Sequence, residues 1–133
     1  MKEIPIGAKG QFALAVEAEH LANRFKDTVL ATPVMIMVME NAALNAIKPY
    51  LDPGESAVGT RVEIRHLAPT PIGLNVVGEA EVTRVDGRRV EFTVRATDEV
   101  EEIGAGTHER AIVDLARLAR RLDAKRPGNR ARR

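Results

Sequence analysis

The chain has 133 residues, 44% hydrophobic and 29% charged, with a formal net charge of +1. That composition describes one soluble globular domain with room for a single core, and so small a net charge excludes wholesale nucleic-acid or membrane binding by the folded part. With no cysteine in the chain, disulfides, thiol catalysis and cysteine metal sites are excluded, and the three histidines show no ligand spacing, so neither metal nor cofactor is expected. The N-terminus carries no apolar signal segment and no stretch approaches the roughly 18 apolar residues that span a bilayer, so a cytoplasmic protein is expected.

Residues 11–18 open the structured part: Phe12, Leu14 and Val16 alternate as in a half-buried strand. Residues 20–30 have no clean period and read as a loop with a short helical turn, one wall of a pocket. Residues 31–47 form a long hydrophobic helix. Thr32 followed by Pro33 predicts its start, since a threonine hydroxyl can accept from an orphan N–H of the first turn and proline fits N1. Lys48, Pro49 and the Asp52-Pro53-Gly54 turn predict its end.

Four strands follow. Residues 56–67 place Val58, Thr60, Val62, Ile64 and His66 on the core face and Arg61, Glu63 and Arg65 on the other. Residues 74–85 put Leu74, Val76, Gly78, Ala80 and Val82 inward. Asp86-Gly87 predicts a two-residue hairpin of the primed kind, and residues 88–97 return with Val90, Phe92, Val94 and Ala96 inward. A last strand covers about 101–115, its Gly104 and Gly106 marking a bulge or a close approach by another backbone or a ligand. Residues 117–121 read as a short helical end. Residues 1–123 thus form one domain, and residues 124–133 a basic tail expected to be disordered.

This order predicts an α+β fold in which a curled antiparallel sheet of about five strands wraps round one long helix. Most of the helix circumference is apolar and the sheet has edges, so a second copy of the chain is expected as partner, in a homodimer or a dimer of dimers.

Within the helix, Asn41, Asn45 and Lys48 share a narrow polar stripe. Glu40 sits about 100° away from Asn41, between Ile36, Leu44 and Ile47. A carboxylate at such an apolar edge costs several kcal/mol unless it is paired, reaches water or shifts its pKa. It therefore either meets a structural partner or serves chemistry. His66 on its own reads as a buried neutral side chain with ordinary hydrogen bonds.

Several short pieces carry a resemblance that periodicity does not: Ala31-Thr32-Pro33 through Met39-Glu40, Tyr50 to Glu55, Gly59-Thr60, His66 with Thr70-Pro71 and Gly73, Gly87 to Arg89, and the segment from Glu102 through Gly106, Thr107, His108 and Glu109 to Arg110. In this order and spacing, over about residues 31–115, the chain resembles the fluoroacetyl-CoA thioesterase-like branch of the hot-dog thioesterase superfamily. The resemblance implies a hot-dog fold, an obligate dimer with active sites at the subunit interface, and hydrolysis of a small acyl-CoA thioester. It implies Thr32, Glu40 and His66 as the catalytic set, Gly59 close to the thioester carbonyl, and Arg110 as a positively charged site residue. The fluoroacetate-specific pattern places phenylalanines just before the Ala-Thr pair. Here Phe25 is the only aromatic in that segment, a substrate-binding candidate, and Lys26 replaces one gate residue. A general short-chain acyl-CoA substrate class follows.

The chemistry accounts for a carboxylate at Glu40. Thioester hydrolysis needs a nucleophile or an activated water, a base and donors for the developing oxyanion. Glu40 can attack to give a mixed anhydride or activate water, with His66 as base and orienting partner, Thr32 bonded to carboxylate or substrate, and the Gly59 N–H near the carbonyl oxygen. His108 either positions Arg110 or faces solvent. Two other classes compete: a non-catalytic acyl-CoA or small-ligand binding module, and an adaptor acting through the basic tail, which lacks aromatics for base stacking.

Overall fold

The computed structural model describes residues 1–22 and 28–130. Strand β1 (Lys9–Ala15) precedes a 3-10 turn at Ala18–His20 and the long helix α1 (Thr32–Ile47). A second 3-10 turn, Lys48–Tyr50, ends α1 at its proline. Then come β2 (Glu55–His66), β3 (Asn75–Asp86), β4 (Arg89–Thr97) and β5 (Glu102–Asp114), followed by α2 (Leu115–Lys125). A single turn, α3 (Pro127–Arg130), lies inside the segment expected to be a disordered tail. Its Asn129 side chain donates to Asp123 O at 2.7 Å, which ties the turn to the end of α2.

All five strands form one antiparallel sheet in the order β1-β3-β4-β5-β2, so β1 and β2 are its edges. The core lies between the sheet and one side of α1, where Met35, Val38, Met39, Ala42, Ala43, Ala46 and Ile47 are buried. Val76, Ala80 and Val82 of β3 and Val90, Phe92, Val94 and Ala96 of β4 face them, as the alternation predicts. Helix and sheet approach closely. A Cβ on Gly78 would stand 2.7 Å from Val38 Cγ1, and one on Gly104 would stand 2.6 Å from Met35 Sδ. The glycines of β5 therefore serve close packing: Gly104 against the methionines of α1, Gly106 against the β2 backbone at Glu63 and Ile64.

Three local expectations are corrected. The hairpin turn is Gly87-Arg88 rather than Asp86-Gly87, because Asp86 pairs with Arg89 in the ladder. Of these two turn residues only Gly87 has positive φ, +61°, which is what a type II′ turn requires at its first central residue. In β2 the alternation over residues 58–66 breaks. Gly59 pairs with Arg110 and Arg61 with Glu109, so Thr60 is the extra residue of a bulge. Ala57 and Gly59 therefore share the inner face with Val62, Ile64 and His66, while Val58 and Thr60 turn outward. The Thr60 hydroxyl donates there to Glu109 Oε2 at 2.6 Å. Finally, Thr32 does not cap α1. Ala31 occupies the N-cap position without a side-chain bond, and Thr32 is already helical.

Glu55 anchors the start of β2. It accepts from the Asp52 backbone N–H at 2.9 Å, from Arg88 Nη2 at 3.0 Å, and lies 3.1 Å from the N-terminal amine. The Asp52 N–H first, then the two cations, hold its carboxyl at about 2, against an ordinary 4.5. The folded pKa is depressed, so this stabilisation is complete above about pH 4.5 and is lost as pH falls towards about 2. The thermal midpoint of Glu55→Gln should lie below wild type at neutral pH and converge with it across that window. A gap unchanged in acid would assign the effect to packing instead.

Candidate active site

The residues expected to do chemistry fall into two groups. At one end of the sheet, the first residue of α1 meets the last residue of β2: Thr32 Oγ1 lies 2.8 Å from His66 Nδ1. Because the hydroxyl caps no helical N–H, it is free for this bond. The other ring nitrogen, His66 Nε2, is buried with no hydrogen-bond partner among the described residues.

The second group gathers around Glu40, midway along α1. Its side chain is 38% exposed, and Oε2 stands 4.0 Å from Nη1 of Arg110, whose own side chain is 9% exposed. Arg110 Nη2 donates to Ala57 O at 2.7 Å, and Nη1 makes a long bond to the Glu40 carbonyl at 3.4 Å. Burial lowers the Arg110 pKa from its ordinary value and the Glu40 charge raises it again, so the guanidinium is a buried cation that faces, among the described residues, the Glu40 carboxylate. Gly59 completes the group by what it lacks. A Cβ there would stand 2.8 Å from Glu40 Oε2, so the carboxylate occupies the space a side chain would fill.

His108 is the residue the sequence left undecided between positioning and solvent. It is 1% exposed, beside Arg110 and stacked on Phe92 with ring centroids 5.9 Å apart. The strand period held the signal: His108, Arg110 and Ile112 share one face of β5, and Ile112 is a core residue. Thr70, read from sequence as punctuation, is fully buried. Its hydroxyl donates to Asp98 Oδ2 at 2.9 Å and its carbonyl accepts from Leu30 N at 2.8 Å, which pins the chain just before α1. Phe25 and Lys26, the expected gate residues, lie outside the described residues. The surface cleft of about 450 Å³ between β5 and α2, lined by residues such as Arg88, Arg117 and Arg121, includes none of the candidates. No group of three or more metal-ligating side chains occurs among the described residues.

A five-stranded antiparallel sheet in this order, curled round one helix with polar groups at the helix start and middle, defines a hot-dog protein of the thioesterase superfamily. The chain is similar to a hot-dog-like protein from Thermanaerovibrio acidaminovorans at a TM-score of 0.82 and 27% identity, covering 92% of this chain and 93% of that one. Residues 14–116 match the family model of FlK, the fluoroacetyl-CoA-specific thioesterase. The fluoroacetyl-CoA thioesterase of Streptantibioticus cattleyicolor is 46% identical over 99 residues, 74% of this chain and 71% of that protein. A solved structure of FlK superposes with a TM-score of 0.89 at 35% identity, covering 95% and 100% of the two chains. The chain belongs to the fluoroacetyl-CoA-specific thioesterase family.

Proposed function

We propose that this protein hydrolyses a small acyl-CoA thioester to the free acid and CoA, as a homodimer whose two active sites each draw on both protomers. The observation that carries the reading is the Glu40 carboxylate, held against the Gly59 backbone and 4.0 Å from the buried Arg110. In hydrolysis the oxygen of water adds to the thioester carbonyl, the C–S bond breaks, and the CoA thiolate leaves and takes a proton. Glu40 is the group able to take the proton from water or to attack first itself. The Gly59 backbone can approach the carbonyl without steric cost. The Thr32–His66 pair, at the positive end of the α1 dipole, supplies a donor where negative charge develops.

The dimer accounts for the separation of the two groups. Thr32 and Glu40 are eight residues apart on α1, about 12 Å of axial rise, too far to act on one carbonyl within a protomer. Edge strand β2, with Val58 38%, Val62 37% and the adjoining Leu67 52% exposed, offers unpaired backbone and apolar surface to a second copy. A two-fold axis across β2 would bring Thr32 and His66 of one protomer towards Glu40, Gly59 and Arg110 of its partner.

Mixed protomers test both halves of the proposal. Wild type should release CoA from acetyl-CoA and fluoroacetyl-CoA with weak discrimination, monitored with a thiol reagent, whereas Thr32→Val and Glu40→Gln alone should be nearly silent. Refolding the two variants together should restore turnover, because one site of each heterodimer is then intact. Tight acyl-CoA binding by wild type without CoA release would establish a binding module instead, and a silent mixture would place all the residues of a site in one protomer.

A further inference from the structure

We propose that His108 is a positioning residue: through its two ring nitrogens it fixes the β2 bulge that presents Gly59 and the Arg110 guanidinium that faces Glu40. The inference rests on the thioesterase reading of that site and extends it to a buried residue outside the catalytic set.

The hydrogen-bond geometry assigns the ring's protonation. Arg110 Nη1 lies 3.3 Å from His108 Nε2, and a guanidinium nitrogen can only donate, so Nε2 carries the lone pair. The proton is therefore on Nδ1, which lies 2.8 Å from Arg61 O and donates to it. His108 is a neutral imidazole with both nitrogens engaged. Its burial lowers its pKa, and the neighbouring Arg110 acts in the same direction.

Each bond has a structural consequence at the site. Arg61 follows the bulged Thr60, so the bond from Nδ1 holds the ladder at the point where its count changes. From the outer face, the Thr60 hydroxyl holds the same point through Glu109. Adjacent residues of β5 thus clamp the bulge from both sides of the sheet. Without the bulge, Gly59 would not share the inner face with His66, since one inserted residue exchanges the faces. The bond at Nε2 holds Arg110, whose other polar contacts among the described residues are Ala57 O, the long bond to the Glu40 carbonyl and the Glu40 carboxylate. Phe92 stacks on the ring at an interplanar angle of 25°, which supports the plane of the imidazole from one face.

His108→Leu removes both nitrogens, and His108→Gln keeps one donor and one acceptor. The leucine variant should lower kcat for acetyl-CoA on the order of 10- to 100-fold, the scale of an ångström-sized misplacement, with little change in KM. The glutamine variant should recover most of the loss. On an Arg110→Ala background, His108→Leu should cost a smaller factor, because the guanidinium, one of the two groups it positions, is already gone and only the bulge contact at Arg61 remains to be lost. An equal factor on that background, or a leucine variant with a lowered thermal midpoint and unchanged kcat, would overturn the proposal. So would a glutamine variant that folds as well as wild type and is as impaired as leucine. Should the leucine variant fail to fold, His108→Asn, a polar side chain too short to reach both Arg61 O and the guanidinium, carries the same cycle. If wild type releases no CoA, the thioesterase reading falls by itself, and the cycle is read in thermal midpoints: non-additive with Arg110 if Nε2 holds the guanidinium, additive if it does not.

Discussion

Glu40→Gln should lower acetyl-CoA turnover by at least about a hundredfold, the low end for losing a positioned acid or base, while the protein stays folded. The amide keeps the size and much of the hydrogen bonding of the carboxylate and removes its charge and basicity. Stability is the informative second measurement. Arg110 is buried, with Ala57 O and His108 Nε2 as its other close partners among the described residues, so the substitution removes the counter-ion that those residues supply. The Glu40 side is 38% open to solvent, however, and the charges are 4.0 Å apart, so the cost is expected to remain near that of a screened pair, about 1 kcal/mol. His66→Ala should also impair turnover, and the double variant should lose much less than the sum if the two groups act as a unit. A Glu40→Gln protein that turns over normally but has lost several kcal/mol would identify Glu40 as the structural counter-ion of Arg110 and nothing more.

Gly59→Ala isolates the geometry from the chemistry. The new methyl would stand 2.8 Å from Glu40 Oε2 and 3.3 Å from His108 Cε1. The nearer atom is the end of a flexible side chain, so the carboxylate moves aside and the fold survives. A displacement of about 1 Å at a reacting group costs roughly a hundredfold, and kcat should fall on that scale with the thermal midpoint little changed. Near-wild-type kcat from this variant would show that Glu40 need not occupy the space against the Gly59 backbone.

Helix and strands were legible in the chain because their signals are local. Pro33 and the Lys48-Pro49 pair bound α1 within a few residues, and the period-two apolar pattern marks the buried residues of β3 and β4 one by one. The hairpin was displaced by one residue because Asp86-Gly87 and Gly87-Arg88 are both acceptable turn chemistry. What distinguishes them is whether Asp86 pairs with Arg89, and that is a property of the ladder. The same holds for β2. Its sequence alternates smoothly through Thr60, and the bulge arises only from the count against β5.

Local signals were enough to place one carboxylate at the edge of an apolar helix, Thr32 at the start of that helix, and His66 on the core face of a strand. Tertiary structure alone decided which groups those side chains meet. Thr32 and His66 are 34 positions apart, His108 and Arg61 47, and Arg110 and Glu40 70, separations over which neither propensity nor periodicity carries information. The first is set by how α1 packs against the end of β2, and the other two by the register of β5 against β2 and by the bulge at Thr60. A shift of one residue there exchanges the two faces of a strand and would turn Gly59 away from Glu40.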